Sequence, residues 1–283
     1  MAEPFNRVYF PSNYAEIFTV WERHPSAVLY AGGTGLVREQ GRQTIALPPV
    51  LFSLDKFEEL QKISRTERFL EIGAMVKLSR ILDLGKIVPA VLLHCLRGIA
   101  GPPLRNIATI GGNICFPHRR LDSAAALCAL DAQFELRTAQ SVRWISAARF
   151  FAMPSQGSLN PKYALNKVSH EILTRIRVPF DNWDYSAYQK FDGEKSQSRV
   201  AVFLAKTQKN ILRDISIIYK TDIIWRDRNS ESILIGKALP LSRRITADFI
   251  AHWGSVLKRE DIDEPSRAEM IDFIRTNVYN LSE

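Results

Sequence analysis

The chain has 283 residues, 46% of them hydrophobic and 24% charged, which suits one large or two modest folded domains and excludes disordered, collagen-like and disulfide-scaffold classes. Its longest apolar stretches, such as Val88 to Cys95, stop after about eight residues, where a membrane span takes roughly 20. The formal charge of +8 comes from Lys and Arg that are dispersed and often beside acids, as in Trp225-Arg226-Asp227-Arg228, so it describes a basic surface rather than a nucleic-acid stripe.

In chain order, Asn13-Tyr14-Ala15-Glu16 offers a cap and a reciprocal Glu ahead of Ile17, Val20 and Trp21, the spacing of a short amphipathic helix. Ala27 to Ala31 is an apolar run ended by Gly32-Gly33, and Phe69 to Gly73 repeats that grammar; both predict strands entering glycine turns. Ile87 to Ile99 predicts a buried helix closed near Gly98 and Gly101, and Leu121 to Leu130 a second helix. Met153 to Pro161 breaks both helix and strand and predicts a boundary between domains 1–160 and 161–283. Beyond it, Glu171 to Val178 and Asp214 to Trp225 alternate as half-exposed antiparallel strands. Phe249, Ile250, Trp253, Val256 and Leu257, then Met270, Phe273, Ile274 and Val278, keep the spacing of two packed helices. The fold class expected is α+β.

Ten of the fourteen glycines precede residue 113, so tight turns concentrate in the first half. Ala31-Gly32-Gly33-Thr34-Gly35-Leu36 follows a strand, where amides free of side-chain bulk can wrap a diphosphate and Thr34 adds a hydroxyl. It is neither G-x-x-x-x-G-K-[ST] nor G-x-G-x-x-G, so P-loop and Rossmann readings fail. Leu104 to Ile114 contains a second glycine loop. Two loops presenting unshielded amides would suit a dinucleotide, and the pair is more specific than either loop. Cys95, Cys115 and Cys128 form no C-x-x-C pattern and cannot supply the four cysteine ligands of a conventional iron-sulfur cluster. Cys115 reads as a small hydrophobe; His24, His94, His170 and His252 have no partner pattern, and no nucleophile-base set supports a hydrolase.

Five segments in order resemble the FAD-binding medium subunit of molybdenum hydroxylases, the xanthine dehydrogenase and carbon monoxide dehydrogenase flavoprotein group. They are Ala31 to Leu36, Ile72-Gly73-Ala74, Arg105-Asn106-Ile107-Ala108-Thr109-Ile110-Gly111-Gly112-Asn113, Asp122, and Leu234-Ile235-Gly236-Lys237. The resemblance implies a two-lobed α/β FAD-binding domain (PCMH/vanillyl-alcohol-oxidase-like, lobes about 1–55 and 56–160). A C-terminal domain with an antiparallel sheet and packed helices follows it.

It further implies FAD contacts at Leu29, Ala31, Gly32, Gly33, Thr34, Gly35 and Leu36, then at Ile99, Thr109, Gly111, Gly112 and Asn113. Asp122 falls near ribityl or ribose hydroxyls, Leu173 against the flavin ring, and Lys190 near that ring, where its charge would tune the potential. No catalytic or metal-binding residue is implied on this chain. Electrons would pass from 2Fe-2S clusters on a small subunit, after a molybdenum-cofactor large subunit has acted on substrate, to NAD or another acceptor.

Gly35 stands where the family has an acidic residue, Phe116-Pro117-His118-Arg119-Arg120-Leu121 where it has small residues, and Ser266 to Met270 is a reduced form of its Ser-x-x-Tyr-Arg. His118, Arg119 and Arg120 can instead meet a phosphate or an acidic partner. These departures keep open a scaffold subunit that retains the fold without flavin; a nucleic-acid binder rests on net charge alone. Met1-Ala2-Glu3-Pro4-Phe5 lacks the features of a signal peptide, so a cytoplasmic location is expected.

Overall fold

The computed structural model describes residues 7–40, 47–116, 122–152, 170–191, 199–221, 223–259 and 262–281. By internal contacts the chain divides into one unit of Met1–Ala124 with Asp131–Phe180, and a second of Ala125–Leu130 with Asp181–Glu283. Among the described residues no helix is long and apolar enough to cross a membrane.

The first unit opens with β1 (Arg7–Tyr9), α1 (Tyr14–Arg23), β2 (Val28–Tyr30), α2 (Thr34–Gln40) and β3 (Val50–Ser53), whose strands form a parallel sheet in the order β1-β3-β2. Helix α1 starts where expected: the Asn13 side chain accepts from Glu16 N at 3.0 Å, while the Glu16 carboxylate accepts from Ser12 N at 2.8 Å. It buries Ile17, Phe18 and Trp21 against Phe52, Leu54 and Phe57, and the Trp21 indole N–H donates to Ala27 O at 2.9 Å.

The rest of this unit comprises β4 (Ile63–Arg65), β5 (Phe69–Gly73), α3 (Leu78–Asp83), α4 (Ala90–Arg97), α5 (Pro102–Arg105), α6 (Ile110–Ile114), residues 122–124 at the start of α7 (Asp122–Ala129), β6 (Gln133–Arg137), β7 (Val142–Ser146), α8 (Ala147–Ala152) and β8 (Ile172–Pro179). Its five strands pair antiparallel in the order β4-β5-β8-β6-β7. Strand β8, read from sequence as the opening of the second domain, is the middle strand of this sheet: Ile176 pairs with Ile72 on one side and Phe134 on the other. The break expected at Met153 to Pro161 lies outside the described residues.

One face of that sheet carries a charged ladder. Arg177 donates to Glu71 at 2.9 and 2.7 Å and lies 3.9 Å over the Trp144 ring, while Arg175 bridges Glu71 and Glu135 at 2.9 Å each. Burial alone would raise the Glu71 carboxyl, but bonds from Arg177 and Arg175 outweigh it and hold Glu71 below the usual carboxylate range. The stabilisation is therefore complete above the unfolded carboxylate value and fades as pH falls through the lower folded one. Glu71→Gln is expected to cost about 2 kcal/mol at pH 7 and progressively less below about pH 4, measured by urea denaturation across pH.

The second unit holds β9 (Tyr185–Phe191), β10 (Arg199–Gln208), β11 (Ile211–Lys220) and β12 (Ile224–Trp225) in the antiparallel order β12-β11-β10-β9, followed by α9 (Arg228–Ser232), α10 (Arg243–Arg259) and α11 (Glu264–Asn280). Ile215, Ile217 and Tyr219 pack with Phe249, Trp253, Leu257, Met270 and Phe273, the strand and helical stripes read from the sequence, and Phe203 of β10 joins them. The half-exposed character expected of β11 is not found, because Ser216, Ile218 and Lys220 on its other face are buried as well. Alternation marks a strand reliably only when one face meets water.

Candidate functional site

The first glycine loop leaves β2 at Tyr30 and enters α2 at Thr34. Gly33 has φ +70°, the left-handed region that favours glycine. A left-handed residue followed by right-handed ones turns successive N–H groups toward a common point, a concavity that suits anions. The N–H groups of Thr34, Gly35 and Leu36 begin a helix and have no carbonyl one turn back within it, so this loop retains donors.

The two loops meet backbone to backbone. A Cβ on Gly32 would press on the Ile107 carbonyl, with its carbon 2.9 Å away and Ala108 Cα at 3.2 Å. Residues 107–113 are in turn stitched to the segment after β5: Leu78 N donates to Ala108 O at 3.0 Å, Ile110 N to Val76 O at 3.0 Å, and Gly111 N to Ala74 O at 2.8 Å. Gly111 is needed there, since a Cβ would stand 2.7 Å from both the oxygen and the Cβ of Ala74. Ile72-Gly73-Ala74 thus ends a strand and anchors the second loop.

This stitching corrects the expectation that both loops present unshielded amides. In the second loop Ile110 N and Gly111 N go to Val76 and Ala74, Gly112 N to Thr109 Oγ1 at 3.1 Å, and Asn113 N to Thr109 O at 3.0 Å. What this loop can offer a ligand is side-chain chemistry. Thr109 Oγ1 accepts from Gly112 and so keeps its own O–H to donate; Asn113 Oδ1 accepts from Ser123 Oγ, which leaves the carboxamide N–H₂. Both residues are buried, whereas Gly112 is exposed. Arg105 fixes the turn that carries Ile99, donating from Nη1 to Arg97 O at 2.9 Å and Ile99 O at 3.1 Å.

Leu29, Ala31, Thr34, Gly35 and Leu36 are half-buried around the first loop. Asp122 is buried at the start of α7, next to the Ser123 that meets Asn113. Leu173 is buried on β8 of the same unit, and Lys190 is exposed on β9, the edge strand of the second unit's sheet. His118, Arg119 and Arg120 lie outside the described residues. Burial pushes the Cys115 thiol up to about 12, so it carries no thiolate at neutral pH.

Sequence reasoning missed Tyr30, whose ring folds over Gly33, and the fact that Phe116 and Gly35 pack on each other. The signal for the second was present as two separate oddities, a missing side chain at Gly35 and an added ring at Phe116. Glycine-freed donors in loop one, with a hydroxyl and a carboxamide from loop two, fit an elongated ligand with an anionic bridge.

A family profile described as the FAD binding domain in molybdopterin dehydrogenase matches residues 3–181. The chain is 27% identical over 216 residues to the glyceraldehyde dehydrogenase medium chain of Sulfolobus acidocaldarius, covering 74% of this chain and 73% of that one. It is 27% identical over 220 residues to the carbon monoxide dehydrogenase medium chain of Hydrogenophaga pseudoflava, covering 75% and 73%. Aldehyde oxidase 2 of Cavia porcellus is 30% identical over 191 residues, 62% of this chain but 13% of that far longer protein. In structure, a chain of carbon monoxide dehydrogenase from Hydrogenophaga pseudoflava superposes with TM-score 0.76 at 23% identity, covering 99% of this chain and 96% of the other, which shows a shared fold.

Proposed function

Because the chain belongs to the family of FAD binding domains in molybdopterin dehydrogenases, we propose that it is the electron-transfer subunit of a xanthine dehydrogenase-like molybdenum hydroxylase. In this reading it takes electrons from iron-sulfur clusters on a small subunit, downstream of a molybdenum-cofactor large subunit, and passes them to NAD or another acceptor. Three cysteines, two of them buried, are consistent with clusters held elsewhere. The observation that carries the reading is the direct contact of the two glycine loops at Gly32 and Ile107.

FAD, when bound, supplies the redox centre. The chain's own residues do the holding: N–H groups of Gly33 to Leu36 and the Thr109 hydroxyl on the diphosphate, Asn113 beside them, and Asp122 on sugar hydroxyls. Leu173, on β8 in the unit that carries both glycine loops, is proposed to lie against the ring. Gly35 and Phe116, which read as two separate departures from the family pattern, occupy each other's space and form one compensated feature. Packing thus accounts for Gly35, and its departure from the family pattern does not by itself argue for the scaffold reading.

The purified full chain, given excess FAD and freed of the unbound fraction, is expected to show flavin absorption near one per chain and bleaching by NADH. A folded chain without flavin bands, alone and in complex with its co-expressed partners, would favour the scaffold reading.

A further inference from the structure

Two aromatic rings to which the flavin reading gives no ligand contact close on the first glycine loop. Tyr30, the last residue of β2, folds back so that its Cζ would stand 2.7 Å from a Cβ at position 33, with the phenol oxygen nearer still. Phe116 lies across the last of the loop's three glycines, where its Cε2 and Cδ2 would stand 2.5 and 2.6 Å from a Cβ at position 35. Both rings are half-buried, so each packs on the loop and keeps an edge toward solvent. Gly33 and Gly35 are thus small for a shared reason beyond backbone freedom: each leaves room for a ring.

The two walls differ in chemistry. Tyr30 brings an O–H, which can donate to an anionic oxygen; Phe116 brings only carbon. An apolar wall beside N–H donors excludes water and lowers the local dielectric, which strengthens hydrogen bonds to a charged acceptor. We infer that Tyr30 and Phe116 are positioning residues for the FAD diphosphate, Tyr30 as a further hydroxyl donor and Phe116 as the dry wall that keeps the loop's donors out of water. The inference rests on the flavin reading.

The test is titration of the full chain with FAD and, separately, with riboflavin, which lacks the diphosphate. Tyr30→Phe is expected to weaken FAD about tenfold and leave riboflavin within about twofold, the loss of one hydrogen bond to a charged group. Phe116→Ala is expected to weaken FAD by a similar factor, with Phe116→Leu recovering most of it. Gly35→Ala should weaken FAD in the parent chain and have little effect once Phe116 is Ala, a coupling that independent sites would not show. If Phe116→Ala melts far below the parent, Tyr30→Phe and Phe116→Leu carry the result.

FAD affinity unchanged in Tyr30→Phe and Phe116→Ala would overturn the inference while leaving the flavin reading intact. Equal losses for FAD and riboflavin would also overturn it, because they mark a purely structural role. A parent chain that binds no FAD would sink the flavin reading, and the inference with it.

Discussion

Gly32→Val is expected to weaken FAD binding about 100-fold, whereas Gly101→Ala leaves it unchanged. The difference lies in what each new side chain meets. At Gly101 the nearest atom is Pro103 Cδ at 3.7 Å, an ordinary contact. At Gly32 the first added carbon meets the Ile107 carbonyl and Ala108 Cα, which are main-chain atoms and cannot rotate away. They cannot slide easily either, because Ile107 N and Ala108 N donate to Leu104 O at 3.1 and 2.8 Å and Ala108 O accepts from Leu78 N at 3.0 Å. Overpacking of a tight contact typically costs 1–3 kcal/mol, and here it acts on the spacing of the two loops that hold one ligand, hence roughly 100-fold in affinity. Fluorescence titration with FAD reads the effect, and circular dichroism checks that the chain still folds. Binding within about threefold of the parent would show that the ligand does not bridge the two loops.

Arg226→Ala is expected to destabilise the second unit by about 3–5 kcal/mol at pH 7, the largest stability effect among these predictions. The Glu231 side chain is 1% exposed and its carboxylate accepts from Arg226 Nε at 2.9 Å and from Ile217 N at 2.6 Å. Arg226 also donates to Cys128 O at 3.2 Å. Burial pushes the Glu231 carboxyl up, and the Arg226 charge is the chief influence pulling it back. Without Arg226 a buried carboxylate keeps its desolvation penalty and loses its nearer counter-charge, with only the more exposed Arg228 left at 3.6 Å, so its folded pKa rises further above the unfolded one. A raised carboxyl pKa favours the protonated folded state; the deficit of the variant therefore shrinks as pH falls toward the unfolded carboxylate range. Urea denaturation at pH 7 and pH 5 should show the gap between variant and parent narrowing at the lower pH. An equal gap at both would mean that the arginine acts through packing alone.

The sheet ladder and the Arg226–Glu231 pair illustrate what was invisible beforehand. Glu71 is 104 and 106 residues away from Arg175 and Arg177 in the chain, and nothing local marks them as partners until β8 inserts between β5 and β6. The same holds for the second glycine loop. Its small residues were legible, and so was its link to a cofactor, but its amides are consumed by Ala74 and Val76, acceptors on another segment. Reading exposed donors from glycine content alone overlooked that every buried N–H must find a partner somewhere.

By itself the sequence determined the local grammar: the Asn13 cap, the helical stripes of α10 and α11, the strands that run into glycine turns, and a motif order specific enough to place the chain in its family. Each depends on neighbours within a turn or two, where side-chain periodicity and backbone freedom act directly. Only the tertiary structure decided that β8 belongs to the first unit, that Gly32 touches Ile107, and that Tyr30 and Phe116 close over Gly33 and Gly35. Those depend on which distant segments share space, and that is settled by burial and by completing hydrogen bonds across the whole unit rather than by any local pattern.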